Sequence, residues 1–249
     1  QATRLGEYYQ GHDKTYSAEI VLGAATDTYD RTGQVIASAP PPPLTATTIE
    51  AALARFRGDL MQTPPRFSAL KQGGEALYAK ARRGEEVAVT PRPVTIHLLE
   101  LLAWTPPDRL ALRVRCSAGT YIRSLAYDLG QALGTLAHLA ALRREVAGLF
   151  TLDHAHPLAA IQAAAERREL AALLLPPGAG LALPVLLVDN EMQRRLGHGQ
   201  LVTVPTALLD GPPPADGLAQ ALNAAGELAG IVRVQGPAEE ADSLIWKAE

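Results

Sequence analysis

The stretch CSAGTYIRSLAYDLG, residues 116–130, sets the local structure around which the chain is organised. It continues LALRVRC (110–116), in which apolar residues alternate with others as on a half-buried strand. A turn at Gly119 follows, and apolar residues then recur at the spacing of an amphipathic helix. The sequence therefore predicts a strand, a tight turn and a helix. Four side chains of the turn are placed to grip a polar, negatively charged ligand: Ser117, Thr120, Tyr121 and Arg123.

Other segments show comparable periodicities. YSAEIVLG (16–23) alternates with Tyr16 on its apolar face, and PVTIHLLELLAW (93–104) has the pattern of a second strand. Capping residues, glycine stops and apolar spacing predict four further helices. One begins with a capping box of Thr47 and Glu50 and ends near Gly58, one covers 74–84, one ends in LAALRRE (139–145), and one covers 158–174.

A stretch rich in proline and glycine, LLLPPGAGLALP (173–184), separates two parts of different composition. Beyond it lie a short predicted helix (191–196) and several short apolar runs, which are typical of a small β-barrel. We therefore expect a mixed α/β (α+β) domain over residues 1–176 and a small β domain over 183–249.

The composition is that of an ordinary globular protein. Of 249 residues, 47% are hydrophobic and 20% are charged, and no apolar run reaches the roughly 18 residues that a membrane-spanning helix needs. A single cysteine fits a reducing compartment, so we expect a cytoplasmic protein with no membrane partner. The six histidines and the cysteine match no zinc-ligand spacing, so no metal is expected.

A nucleic-acid partner would need a local basic face, because the formal net charge is −3. The segment from Arg66 to Arg92 is one candidate, since it holds six basic residues and three acids. On charge alone, a solvated helix face explains this segment as well as phosphate binding does. Phosphate binding is favoured only if other features point to RNA.

Some residues have both a structural and a chemical interpretation. Tyr16 fits a strand aromatic packed in the core, and it also fits a platform on which a flipped pyrimidine stacks. Arg143 and Arg144 fit helix-end cations, and either also fits an arginine that pairs with a carboxylate in a cleft. Cys116 ends the apolar side of a strand, so we expect a buried thiol.

Four segments, in this order, resemble the tRNA pseudouridine synthase B (TruB) family. They are DKTYSAEIVLGAATDTYDRTGQV (13–35), TPPRFSALKQGGEALYAKARRGEEV (63–87), CSAGTYIRSLAYDLG (116–130) and AHLAALRREVAGLF (137–150). The resemblance implies a pseudouridine synthase fold with a mixed, largely antiparallel sheet and a small C-terminal PUA-like β-barrel that binds RNA. It also implies isomerisation of one uridine (position 55) in the T loop of tRNA to pseudouridine, without metal or organic cofactor, and we expect a monomer.

The resemblance implies roles for individual residues. Tyr16 would stack on the flipped base and help to remove its ring proton, and Arg143 would pair with the nucleophilic Asp. Ala141 stands where the family often has tyrosine, and Ile161 falls near an apolar position of the uracil pocket. The other expected contacts are Ser117, Tyr121 and Arg123 with the substrate, and Lys14, Lys71, Arg82 and Arg83 with the RNA, the last three from the RNA-gripping segment at 63–87.

One family motif does not occur in residues 1–249. The nucleophilic Asp lies in G-x-L-D-P-x-A-x-G, upstream of the strand that holds Tyr16. We therefore expect a family member whose Asp-bearing N-terminal segment is not included in this chain. Three functions stay open: the enzyme, a T-arm binding module without catalysis, and an RNA-guided relative. The bacterial-type segment at 63–87 and the short C-terminal domain speak against the last.

Overall fold

A computed structural model describes residues 2–68, 70–72, 75–76, 83, 89–239 and 242–249. The chain packs as two compact units, Gln10–His154, and Ala155–Glu249 with the residues up to Tyr9. The packing thus divides ahead of the stretch rich in proline and glycine, and the functional division into 1–176 and 183–249 stays a prediction. Within the described ranges, no helix is long and apolar enough to cross a membrane.

The unit Gln10–His154 contains ten described strands. They are β1 Lys14–Leu22, β2 Ala24–Thr26, β3 Val35–Ser38, β4 Gly58–Gln62, β5 Lys71–Gln72, β6 Glu75–Ala76, β7 Arg92–Thr105, β8 Arg109–Cys116, β9 Ala137–Ala147 and β10 Phe150–Thr151. Six of them form an antiparallel sheet in the order β10-β9-β1-β8-β7-β4. The pairs β2-β3 and β5-β6 form two small sheets of their own.

Five α-helices are described in the chain. They are α1 Gly6–Gln10, α2 Ala46–Ala54, α3 Ile122–Ala132, α4 Leu158–Glu166 and α5 Asn190–Gly197. The helix predicted after the Gly119 turn is confirmed as α3. The helix predicted over 158–174 is α4 followed by a 3-10 turn at Leu170–Leu173. Of the helix predicted over 74–84, the described part begins with strand β6, and most of the remainder lies outside the described residues.

The cap of α2 differs from the prediction. The capping box consists of Thr45 and Thr48, whose hydroxyls accept hydrogen bonds from each other's backbone N–H at 3.1 and 2.9 Å. Thr47 and Glu50 therefore fall inside the helix, and the helix ends at Ala54. A threonine at the third helical position can replace the usual Glu or Gln of this motif, because its hydroxyl reaches the same backbone N–H.

The central strands confirm the predicted alternation. β1 buries Ala18 and Ile20, which pair with the buried residues Leu112 and Leu110 of β8. Because successive strand residues point to opposite faces, Glu19 lies on the other, exposed face. The apolar face of the sheet packs with residues of α2 and α3 in one continuous core.

Strand β9 shows that the helix predicted to end in LAALRRE (139–145) is wrong. Its residues pair antiparallel with β1, from Lys14 opposite Ala147 to Leu22 opposite Ala137. Alanine, leucine and arginine favour helices in isolation, so the local composition is misleading. Pairing along a central strand overrides that weak preference.

Gly130 lets α3 approach β9 closely. A Cβ at this position would lie 2.6 Å from the Cβ and 2.8 Å from the backbone N of Ala137. We therefore expect Gly130→Ala to lower the free energy of unfolding by about 1–3 kcal/mol, although alanine is the better helix former. Urea denaturation measures this. The control is Gly197→Ala, where nothing lies within 4 Å of the added Cβ. An effect of Gly130→Ala no larger than that of the control would contradict this account of the close approach.

The other unit is built on a curled five-stranded sheet. Its strands are β11 Val185–Leu187, β12 Val202–Pro205, β13 Leu218–Leu222, β14 Leu228–Pro237 and β15 Ser243–Ala248, in the order β11-β13-β14-β15-β12. The apolar runs of the sequence analysis are confirmed as β12, β14 and β15, and the short helix is confirmed as α5. β13 was not predicted, because LAQAL has none of the β-branched or aromatic residues that mark strands.

Candidate active site

The turn at 117–120 is held by its own hydrogen bonds. The Ser117 hydroxyl accepts a hydrogen bond from the backbone N–H of Thr95, at 2.9 Å, and the Thr120 hydroxyl donates to the Ser117 carbonyl, also at 2.9 Å. Gly119 has φ +83°, a conformation that glycine adopts without strain. The turn is therefore a rigid connection between β8 and α3. The predicted contact of Ser117 with substrate stays a prediction.

Gln62 fixes the start of α3. Its side chain is buried at the end of β4, donates to the Tyr121 carbonyl at 3.1 Å and accepts from the Tyr121 N–H at 2.8 Å. The Ser124 hydroxyl donates to the Thr63 carbonyl at 2.7 Å. These bonds tie the turn to the beginning of the segment 63–87. Gln62 is not predictable from the sequence, because a single polar residue at a strand end carries no pattern that predicts burial.

Arg123 joins two loops. Its guanidinium donates to the Thr28 carbonyl and the Asp30 carboxylate, each at 3.2 Å, and to the Phe67 carbonyl at 2.9 Å. The side chain is 25% exposed, so its donors are largely committed within the protein. The predicted substrate contact of Arg123 stays a prediction. What the structure adds is that Arg123 and Tyr121 are both anchored to the segment around residues 62–67.

Asp30 is the acidic partner in this arrangement. Besides Arg123, its carboxylate accepts hydrogen bonds from the Thr28 hydroxyl at 2.9 Å and from the N–H and hydroxyl of Thr32 at 2.9 and 2.5 Å. Burial tends to raise the pKa of this carboxyl. The hydrogen bonds from Thr32 and Thr28 and the charge of Arg123 outweigh burial, so the net pKa is lowered.

This lowered pKa predicts a dependence of stability on pH. A carboxyl whose pKa is lower in the folded state stabilises the fold above its unfolded pKa, about 3.8, and the contribution is lost as pH falls through the folded value. We expect Asp30→Asn to lose less stability than the unsubstituted chain between about pH 6 and about pH 3. Urea denaturation at the two pH values measures the difference. Equal losses in the two proteins would contradict the account of Asp30.

Tyr16 lies on the apolar face of β1, half-buried between β8 and β9. Burial, and after it the nearby Cys116 thiol, raise the pKa of its phenol. The charge and hydrogen bonding of the Arg144 guanidinium lower this pKa without outweighing burial, so the net pKa is raised. Cys116 is buried, as predicted, and burial raises the pKa of its thiol. Tyr16 therefore combines an aromatic ring, a hydroxyl and one neighbouring cation at the centre of the sheet.

The register of β9 separates the two consecutive arginines. Arg144 lies opposite Tyr16, and Arg143 lies opposite Ser17. Residues directly opposite each other in an antiparallel pair share a face, so Arg144 is the arginine on the face of Tyr16. Both arginines are exposed. The pairing of Arg143 with a nucleophilic Asp stays a prediction.

Two other predicted substrate contacts are exposed. Ala141 lies opposite Glu19 in β9. Ile161 belongs to α4 in the other unit and is 39% exposed. Their roles at a uracil pocket stay predictions.

The predicted RNA contacts differ in what the structure says of them. The Lys14 ammonium donates to the backbone carbonyls of Gln10 and His12 at 2.7 and 2.6 Å. Arg83 forms a two-point ion pair with Glu75, at 2.5 and 2.9 Å. Lys71 belongs to β5, and Arg82 lies outside the described residues. Among the residues that can be described, no group of three or more His, Cys, Asp or Glu side chains is arranged to hold a metal.

Comparison with known proteins agrees with this architecture. Residues 1–122 match the N-terminal domain of TruB family pseudouridylate synthases, and residues 123–182 match a tRNA pseudouridylate synthase B C-terminal domain. The chain is 45% identical over 207 residues to tRNA pseudouridine synthase B of Xanthomonas campestris pv. campestris strain B100, and 47% identical over 202 residues to that of Moorella thermoacetica. These alignments cover 82% and 80% of this chain and 67% and 66% of the relatives, so the chain spans about two thirds of their length.

Solved structures show the same fold at lower identity. A chain in a crystal structure of a Cbf5-Nop10-Gar1 complex superposes with a TM-score of 0.70 at 20% identity, covering 99% of this chain and 68% of the other. A chain of an H/ACA ribonucleoprotein bound to a substrate RNA containing 2'-deoxyuridine gives a TM-score of 0.69 at 19% identity, with the same coverage. From its family domains and from the identity to its curated relatives, this chain belongs to the TruB family of pseudouridylate synthases.

Proposed function

We propose that the protein isomerises a uridine of tRNA to pseudouridine, and that this uridine is the one at position 55 in the T loop. The observation that carries the proposal is the 45% identity to a tRNA pseudouridine synthase B across 82% of the chain. In this proposal the protein works as a monomer in the cytoplasm, without a metal or an organic cofactor.

Tyr16 is the residue of this chain that we assign to the reacting base. Its backbone is paired with a strand on each side and its ring is half-buried, which favours a site that is already formed before substrate binds. The phenol supplies an aromatic face for stacking and an oxygen for proton transfer. The nucleophilic carboxylate belongs to the G-x-L-D-P motif, which residues 1–249 do not contain. Arg143 is assigned to that carboxylate.

The position of the product tests the proposal at single-nucleotide resolution. Residues 1–249 are joined behind an N-terminal segment that carries the family's G-x-L-D-P-x-A-x-G motif and incubated with a tRNA transcript. Pseudouridine is then mapped by carbodiimide modification and primer extension. We expect one new stop, at position 55, and none in a transcript with cytidine there. A stop at another uridine would overturn the T-loop assignment. The absence of a stop on any tRNA would overturn the proposal that the protein is a tRNA pseudouridine synthase.

Binding by residues 1–249 alone tests the recognition part of the proposal. The T stem-loop should bind, and its affinity should fall steeply with salt, because contacts to phosphates release counterions. The double variant Lys71→Ala, Arg82→Ala should flatten that salt slope and weaken different tRNAs about equally. Binding that is absent or insensitive to salt would contradict an RNA-binding role. Binding without conversion in the joined protein would favour a T-arm binding module instead.

A further inference from the structure

The two arginines of β9 are not equivalent with respect to Tyr16. β9 pairs with β1 through a bulge, because Thr15 lies opposite Val146 whereas Tyr16 lies opposite Arg144. The bulge skips Glu145 and brings Arg144, rather than Arg143, directly across from the tyrosine. Glu145 instead forms an ion pair with Arg113 at 3.3 Å. The local geometry thus selects one arginine as the cross-strand partner of Tyr16.

Among the described groups around Tyr16, Arg144 is the one cation that lowers the pKa of the phenol, and the Cys116 thiol raises it. Cys116 of β8 is buried, and burial raises the pKa of its thiol, so the thiol is neutral near pH 7. Lys14, two residues away on β1, directs its ammonium to the carbonyls of Gln10 and His12. Among the described residues, no carboxylate lies within ion-pair distance of Arg144. Arg144 is therefore the cation that acts on the phenol.

We infer that Arg144 is a positioning residue for Tyr16, holding the phenol oxygen across the strand pair and stabilising negative charge on it. This inference rests on the proposed function, in which Tyr16 removes the proton from C5 of the rearranged base. In that step the C5–H bond breaks, its electron pair returns to the uracil ring, and the proton forms a new bond to the phenolate oxygen. A neighbouring guanidinium favours the phenolate over the phenol, and it opposes the effect of burial.

The ionisation of Tyr16 tests the pair without any need for turnover. Residues 1–249 are prepared with tyrosine labelled at the ring carbon that bears the hydroxyl, and Tyr16→Phe assigns the Tyr16 signal. We expect the titration midpoint of Tyr16 to move to higher pH in Arg144→Gln and to stay in place in Arg143→Gln. Arg144→Lys should keep the midpoint close to that of the unsubstituted chain, because it keeps the charge. No movement in Arg144→Gln, or the same movement in Arg143→Gln, would overturn the inference.

Two further readings keep the result unambiguous. The six other tyrosine signals report whether Arg144→Gln keeps the fold. If it does not, Arg144→Lys takes its place. A titration midpoint of Tyr16 in Arg144→Lys equal to that of the unsubstituted chain supports the role of the positive charge at residue 144. A midpoint in Arg144→Lys clearly higher than that of the unsubstituted chain would overturn the inference. In the joined protein, Arg144→Gln should lower kcat roughly tenfold or more with little change in KM. If the titrations behave as expected but no pseudouridine forms, the pairing of Arg144 with Tyr16 is supported and the proposed function is overturned.

Discussion

Tyr16→Phe is expected to lower pseudouridine formation by about two to four orders of magnitude, because a positioned acid–base group contributes about that much to a rate. Phenylalanine keeps the ring that stacks on the base and removes only the oxygen that accepts the proton. Affinity for tRNA should therefore stay within a factor of about two. The measurement is turnover under single-turnover conditions in the joined protein, together with the dissociation constant of the same sample.

The control for this prediction is Tyr8→Phe. Tyr8 belongs to α1 in the other unit, and nothing assigns it to the reaction. We expect its turnover to equal that of the unsubstituted protein. If Tyr16→Phe turned over as fast as this control, Tyr16 would not be the residue that takes the proton. Its ring would then have at most a stacking role.

Trp246→Ala is expected to lower the free energy of unfolding of the unit that contains Ala155–Glu249 by about 3–5 kcal/mol. Trp246 is fully buried in β15, between Val202 of β12 and Val234 of β14. Removing the indole leaves a cavity at the centre of a small core, where few neighbours can move in to fill it. A unit of this size has a small free energy of unfolding, so we expect the unit to be partly unfolded near room temperature in Trp246→Ala.

Hydrogen exchange followed by mass spectrometry measures this change in each unit separately. The matched control is Lys247→Ala, which removes an exposed neighbour and should cost less than about 0.5 kcal/mol. We expect faster exchange in β12, β14 and β15 for Trp246→Ala. Exchange in these strands at the rate of the control would contradict the placement of the indole in the core.

The sequence predicted the elements whose patterns are strong. β1 and β8 alternate clearly, and a glycine with positive φ separates β8 from α3. It did not predict β9, whose alanine, leucine and arginine residues favour a helix until the chain pairs with β1. Local composition carries no information about such a partner, which is distant in the sequence.

The sequence predicted the roles of the site residues only in part, for the same physical reason. The motif assigned Arg143, but a bulge of one residue decides which arginine faces Tyr16, and a bulge depends on both paired strands. The polar residues of the Gly119 turn were expected to be available to a ligand. In the structure, Arg123 holds the loops at Thr28 and Phe67, because their carbonyls need partners there. The Ser117 hydroxyl is bonded to the N–H of Thr95 in strand β7. Residue types predicted polarity correctly, and only the packing shows which groups are already committed.

The most direct test of the account is release of tritium from tRNA labelled at C5 of uridine, since formation of pseudouridine requires that hydrogen to leave. The protein is residues 1–249 joined behind the Asp-bearing segment, compared with the same protein carrying Tyr16→Ala. We expect release that reaches one equivalent per tRNA in the first protein and none above background in the second, with tRNA binding retained in both. Absence of release from the first protein despite binding, or equal release from both, would contradict it.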